Sequence, residues 1–261
     1  MLNNSYIKLS FLFIFNLYIF SDDIYFPSKS WDEVPPSEFS IGEDKVDRLI
    51  DIAFKDDSTQ GVVIIKNGKI IGEKYADGYN FSSHGTSWSM AKSYYAALIG
   101  ISLDKGEINS LDDKVATYLE YFNDERSDIT LRDLLDMSSG LDFPSHEHEK
   151  MFFQTDHLAY AKTVGVEKDT GQKFEYNNIN SMLLGDILFQ VTGKKADVLF
   201  EDRILKPLEI SDYKLWKDEN GNVLTYCCVD MSARDYSKLG LLFARDGVWN
   251  GEEILSKKFI D

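Results

Sequence analysis

Trp88-Ser89-Met90-Ala91-Lys92-Ser93, continuing through Tyr94-Tyr95-Ala96-Ala97-Leu98-Ile99-Gly100-Ile101-Ser102-Leu103-Asp104-Lys105, is the stretch on which the fold of this chain turns. Apolar residues fall at 90, 91, 94–99, 101 and 103, so the segment is apolar on most faces. A central helix buried in a sizeable domain has that pattern. Residues three apart on a helix share a face, so the Lys92 amine can fold back onto the Ser89 hydroxyl. An ordinary lysine is protonated near neutral pH and is no base. Burial among apolar neighbours lowers its pKa, and beside an uncharged amine a serine becomes an acylable nucleophile with no histidine needed. At the first turn of a helix, Ser89 also lies near backbone N–H groups without helical partners, which can stabilise developing negative charge. The spacing alone is a weak signal, since Ser5-Tyr6-Ile7-Lys8 repeats it.

Upstream, Asp44 to Phe54 carries Val46, Leu49, Ile50, Ile52 and Ala53 at helical spacing. Gly61–Ile65 and Ile70–Tyr75 flank Lys66-Asn67-Gly68-Lys69, and an Asn-Gly pair between apolar runs predicts a hairpin. Downstream, Leu111-Asp112-Asp113 with Val115 and Leu119 predicts a short helix. Thr130, with Asp133 three residues on, reads as a variant capping box opening a helix that Ser138-Ser139-Gly140 ends. Residues 141–175 are polar and read as irregular. Helices are expected over Asn180–Val191, Lys195–Ile204 and from Ser232 to Ala244. A helical middle between strand-bearing ends predicts an α+β domain: an antiparallel sheet flanked by helices, plus an all-helical lobe, with a cleft where the two meet.

The 261 residues are 43% hydrophobic and 28% charged, with 17 Phe and 14 Tyr, which is ample for a packed core. Lys and Arg total 28 against 44 Asp and Glu, a net charge of -16, which disfavours nucleic acid and anionic membrane surfaces as partners. Residues 1–21 hold Lys8, an apolar run from Phe11 to Phe20 and a polar boundary at Ser21. They read as a secretory leader or an uncleaved anchor, so that export, to the periplasm or outside, is expected ahead of a cytoplasmic location. Residues 22–43, with Pro27, Pro35 and Pro36, read as an extended lead-in to one domain over 44–261. Adjacent Cys227 and Cys228 are expected as two thiols, because neighbours are poorly placed for an ordinary disulfide. His146-Glu147-His148 in a polar stretch reads as a solvated loop, and no spacing suggests a metal. Trp249, between Gly247 and Gly251, is expected to be a packing anchor.

Tyr176-Asn177-Asn178 precedes the Asn180 helix. A tyrosine hydroxyl can relay a proton, and an asparagine amide can orient Lys92 and a substrate carbonyl. With these residues the chain resembles the serine beta-lactamase-related family. Its relevant branch holds class C beta-lactamases, D-alanyl-D-alanine carboxypeptidases, family VIII esterases and 6-aminohexanoate-dimer hydrolases, the last being nearest in character. The segments that carry the likeness are Trp88–Ser93, Leu134-Leu135-Asp136-Met137-Ser138-Ser139-Gly140-Leu141, Phe174–Asn178 with Leu183-Leu184-Gly185, Ala233-Arg234-Asp235 with Gly240-Leu241-Leu242, and Gly247-Val248-Trp249-Asn250-Gly251. Their order covers most of residues 25–261.

The resemblance implies a beta-lactamase/transpeptidase-like fold, Ser89 as the acylated nucleophile, Lys92 as its base, Tyr176 as the catalytic tyrosine and Asn178 as a substrate-binding residue. It implies a small amide, ester or lactam as substrate and no cofactor or metal. Small linear amides or esters are favoured. Beta-lactam or D-Ala-D-Ala peptide hydrolysis, and a non-catalytic binding remnant, remain as alternatives. In the family one oxyanion donor comes from a late strand near a Lys/His-x-Gly motif. That motif is not found here, so the expectation is a C-terminally truncated chain with its last strands missing, a poorly active and marginally folded product, and apolar surface exposed on the Ser89 helix.

Overall fold

The computed structural model describes residues 24–261, and the expected leader lies outside them. Helix α1 (Glu43–Ala53) turns Val46 and Ile50 onto the hairpin of β1 (Gly61–Lys66) and β2 (Lys69–Tyr75). The two strands are antiparallel, from Gly61 opposite Tyr75 to Lys66 opposite Lys69. Asn67 and Gly68 both take positive φ, 51° and 87°, as the two-residue turn of a right-twisted hairpin requires. The lead-in does more than extend. Val34 N–H donates to the Ile70 carbonyl and Ile70 N–H to that of Asp32, both at 2.9 Å, which straps it to β2.

A second sheet sets the position of Ser89. Strands β3 (His84–Thr86), β4 (Lys214–Leu215) and β5 (Val229–Ser232) are ordered β3-β5-β4, all antiparallel. The chain enters the Ser89 turn from β3, so pairing with β5 brings residues 226–229 beside it from far along the sequence.

Helix α2 (Ala91–Asp104) is the axis of the core. The lobe against it comprises α3 (Leu131–Leu135), α4 (His157–Thr163), α5 (Asn178–Thr192) and α6 (Ala196–Phe200), the last running into a π-helical turn over Glu201–Leu205. Tyr94 and Tyr95 meet the Phe200 ring at 5.1 and 5.5 Å. Asn177 caps α5 by accepting from Ile179 N–H, and Gly193 ends it in the left-handed region. Helix α4 falls inside the stretch expected to be irregular. Only seven residues long, it is fixed by the Asp156 cap and by packing on α5, not by a readable apolar period.

Helix α7 (Ala233–Ala244), capped by Ser232, lies against β1. The Arg234 guanidinium reaches Glu33 and Glu73 at 2.5 Å, joining α7, the hairpin and the lead-in. The C-terminal segment forms a short hairpin, β6 (Val248–Trp249) and β7 (Glu252–Glu253), and a last turn, α8 (Lys257–Ile260). Trp249 is buried against the edge of Phe26, as a packing anchor. The expected apolar exposure of the Ser89 helix is not found. Ala91, Tyr94, Tyr95 and every residue from Ala97 to Ser102 are buried, and Leu255 and Phe259 close over Gly100. The architecture is the expected mixture of helices and antiparallel sheet with a helical lobe.

Candidate active site

Ser89 sits in a 3-10 turn, Trp88–Met90, that runs directly into α2. Trp88 holds φ 45°, a conformation sparsely populated outside glycine. The turn is pinned from β5: Ser87 N–H donates to the Val229 carbonyl at 2.8 Å, and Val229 N–H donates to Ser87 Oγ at 3.0 Å. The nucleophile candidate is therefore exposed on a fixed corner.

Lys92 Nζ stands 3.2 Å from Ser89 Oγ and donates to the Tyr226 carbonyl oxygen at 2.6 Å. The same nitrogen lies over the rings of Tyr176, 4.7 Å from its centroid, and Tyr226, at 5.8 Å. Ring faces favour the cation by about 0.5–2 kcal/mol, but desolvation outweighs them, and burial pulls the Lys92 pKa down to about 7. Among the described residues no carboxylate forms an ion pair with this amine.

Ser89, Tyr176 and Asn178 line one cleft of about 450 Å³, which Lys92 adjoins through Ser89 Oγ. The remaining walls are Trp88, Phe152, Trp216, Tyr226 and Cys227, with His148 and Glu149 at the rim. The four residues expected from sequence are thus brought together, with two refinements. Tyr176 meets Lys92 through its ring face, not through a hydroxyl hydrogen bond. Asn178, the first residue of α5, is buried, and its Oδ1 has no hydrogen-bond partner. No hydrogen bond joins Asn178 to Lys92.

One reading made from sequence is corrected here. Cys227 and Cys228 are joined in a disulfide. Their Cα atoms are 3.7 Å apart, the ordinary spacing of neighbours across one peptide unit, so the bridge closes the smallest ring two cysteines can make. The His146–His148 stretch lies in a 3-10 turn, Ser145–Phe153, with both histidines exposed, and His148 lines the cleft. No group of three metal-ligating side chains occurs among the described residues. Sequence reasoning missed Tyr226, Trp216 and Phe152 altogether, because nothing in their spacing points toward Ser89. A second hollow of about 300 Å³, between α4, α5 and α6, contains no serine.

A family model described as beta-lactamase matches residues 46–246. The chain belongs to the beta-lactamase family. Among curated members, an N-acetylmuramyl-L-alanine amidase of Bacillus subtilis is 28% identical over 180 residues, covering 57% of this chain and 40% of the amidase. Protein flp of Staphylococcus aureus is 28% identical over 169 residues, 57% of this chain and 33% of that protein. The chain thus matches well under half the length of these relatives. Among solved structures, a Bacillus anthracis protein provisionally named a 6-aminohexanoate-dimer hydrolase superposes with TM-score 0.69 at 22% identity, over 90% of this chain and 66% of that one. The octameric penicillin-binding protein homologue of Pyrococcus abyssi gives 0.66 at 21%, over 84% and 59%. At these identities the structures establish the fold, and the fold is that of the beta-lactamase family.

Proposed function

We propose that the protein is a serine hydrolase that forms an acyl-enzyme on small amides or esters. The observation that carries this reading is the half-buried Lys92 amine 3.2 Å from Ser89 Oγ, its pKa lowered to about 7 by burial. In the uncharged form, Lys92 accepts the Ser89 proton as Oγ attacks the carbonyl carbon. The resulting oxyanion lies near the head of α2, and the ammonium formed on Lys92 returns its proton to the leaving group. Water then cleaves the acyl-enzyme by the same route in reverse order. Tyr176 supplies a second proton path and Asn178 a contact to the substrate amide. The aromatic walls suit an apolar substrate, and the amidase among the relatives supports amides as substrates. The leader expected at residues 1–21 fits a protein working outside the cytoplasm.

The test is covalent labelling of Ser89 by a fluorophosphonate, with Ser89→Ala as control, followed by turnover of p-nitrophenyl esters, linear aminohexanoate amides and a chromogenic cephalosporin. Labelling at Ser89 with turnover of the first two groups is expected. A correctly folded protein that never labels would leave only a binding role.

A further inference from the structure

Behind Lys92 a run of buried polar contacts leads away from the cleft to a histidine that the reaction does not touch. Tyr226, whose carbonyl holds the Lys92 amine, is 1% exposed, and its phenol meets His157 Nδ1 at 2.9 Å. His157 is itself 5% exposed and is the first residue of α4. Its backbone N–H donates to Asp218 Oδ2 at 2.9 Å, and Asn222 Nδ2 ties the same carboxylate to that of Asp156, at 2.9 and 3.1 Å. Phe152 packs edge-on against both rings, 5.6 Å from Tyr226 and 6.4 Å from His157. At the other end of the tyrosine, Cys228 N–H reaches the Trp88 carbonyl and Val229 is paired with Ser87. Tyr226 is held at its ring by one element and at its backbone by another.

We propose that His157 is a positioning residue for Lys92, acting through Tyr226 by anchoring the phenol whose own backbone carbonyl orients the amine. The proposal rests on the acyl-serine reading of Ser89 and Lys92. An uncharged primary amine has two N–H groups and one lone pair. Committing one N–H to the Tyr226 carbonyl restricts rotation of the amine and leaves the lone pair free to face Ser89 Oγ. The Tyr226 and Tyr176 rings cover the nitrogen and keep water off it. A buried phenol that loses its partner is left unsatisfied, and a shift of the ring that relieves it carries the carbonyl and the ring cover along. Burial keeps the imidazole neutral against the pull of Asp218, Asp156 and the Gln154 carbonyl, so its bond to the phenol is one between neutral groups. The groups facing Lys92 are Ser89, Tyr176 and Tyr226.

The test compares His157→Phe, His157→Gln and Tyr226→Phe with the parent chain, each checked by its melting curve. Two quantities are read: the first-order rate of Ser89 phosphonylation, with loss of fluoride, at saturating fluorophosphonate with the probe's half-saturation concentration, and the pH titration of Lys92 by trace acetic anhydride labelling with mass spectrometry. In His157→Phe the Ser89 labelling rate falls tenfold or more, half-saturation stays within twofold, and the Lys92 midpoint rises from about 7. His157→Gln, which keeps a polar partner for the phenol, recovers most of the rate. Adding His157→Phe to Tyr226→Phe costs little more, because both break one contact. An unchanged Lys92 titration and rate in a folded variant, or fully additive losses, overturns the proposal. If His157→Phe does not fold, His157→Gln and Tyr226→Phe are judged by the same criteria. A parent whose Ser89 never labels, but whose Lys92 titrates near 7 and shifts in the variants, sinks the hydrolase reading and leaves the positioning role standing.

Discussion

Ser89 and Lys92 meet at 3.2 Å across a turn that is 3-10 at its start and α-helical at its end. A 3-10 turn eclipses residues three apart, so it brings the two side chains together more squarely than the single α-helix over 89–105 expected from sequence. Trp88 at φ 45° and the strapping of Ser87 to Val229 hold that first turn tight.

The pH dependence of acylation follows from which form of Lys92 is active. Only the uncharged amine accepts the Ser89 proton, so the rate of fluorophosphonate labelling rises with pH through about 7 and levels off above it. Lys92→Arg keeps the charge at every accessible pH and loses about 10²–10⁴ in rate. A rising limb centred near the ordinary lysine value would show that the amine is solvated and the site differently built.

The same amine lowers stability. Its folded pKa lies below the unfolded one, so between about 7 and the ordinary lysine value the unfolded chain binds more protons, and stability rises with pH across that window. Below about 7 the folded state carries the full cost of a half-buried ammonium. Lys92→Met therefore abolishes acylation yet raises the melting temperature at pH 6, by roughly 2–4 °C per kcal/mol, and the gain shrinks toward pH 10. Melting curves of both chains at several pH values check this. A Lys92→Met chain that melts lower at pH 6 would contradict it.

Much of this site was legible because its central parts are local. Ser89 and Lys92 share a turn, the Asn67–Gly68 hairpin has its own chemistry, and Tyr176 and Asn178 stand at a helix start. The rest depends on chain closure. β4 and β5, of two and four residues, are too short for alternation to be read. Yet the pairing of β5 with β3 is what delivers Tyr226 to Lys92. His157 was indistinguishable from a surface histidine until α4 and the 218–222 turn enclosed it. The cover of α2 was misjudged because Leu255 and Phe259, which close over Gly100, lie far from it in sequence.

The capping box at α3 gives a prediction away from the chemistry. Thr130 Oγ1 accepts from Asp133 N–H at 3.1 Å, and Asp133 Oδ2 accepts from Thr130 N–H at 2.9 Å. Thr130→Ala costs about 1 kcal/mol. Asp133→Ala costs more, since Asp133 Oδ1 also accepts from Ser138 Oγ at the far end of the helix. The double variant costs less than the sum, because the residues share a pair of bonds. Urea denaturation of the three chains measures this, and strict additivity would show that the two halves of the box act independently.

Gly140 links that corner to the cleft. It holds φ 73°, and a Cβ there would strike the Lys168 backbone carbonyl. Its own carbonyl accepts from Glu167 N–H at 3.0 Å and Lys168 N–H at 3.3 Å, so the two strands of chain cannot easily part. Gly106 has nearly the same φ, 70°, with open space around it, and isolates the conformational part of the cost. Gly106→Ala loses about 1–2 kcal/mol for the left-handed backbone alone, and Gly140→Ala loses that plus about 1–3 kcal/mol of overpacking. Residues beside Gly140 also brace α5: Ser139 Oγ donates to Asn180 Oδ1 at 2.7 Å, and Asn177 Nδ2 to the Leu141 carbonyl at 3.2 Å. Displacing them moves Tyr176 and Asn178, so Gly140→Ala slows Ser89 labelling at a temperature where the chain is still folded, and Gly106→Ala does not. Equal labelling rates in the two variants would break the link between this corner and the cleft.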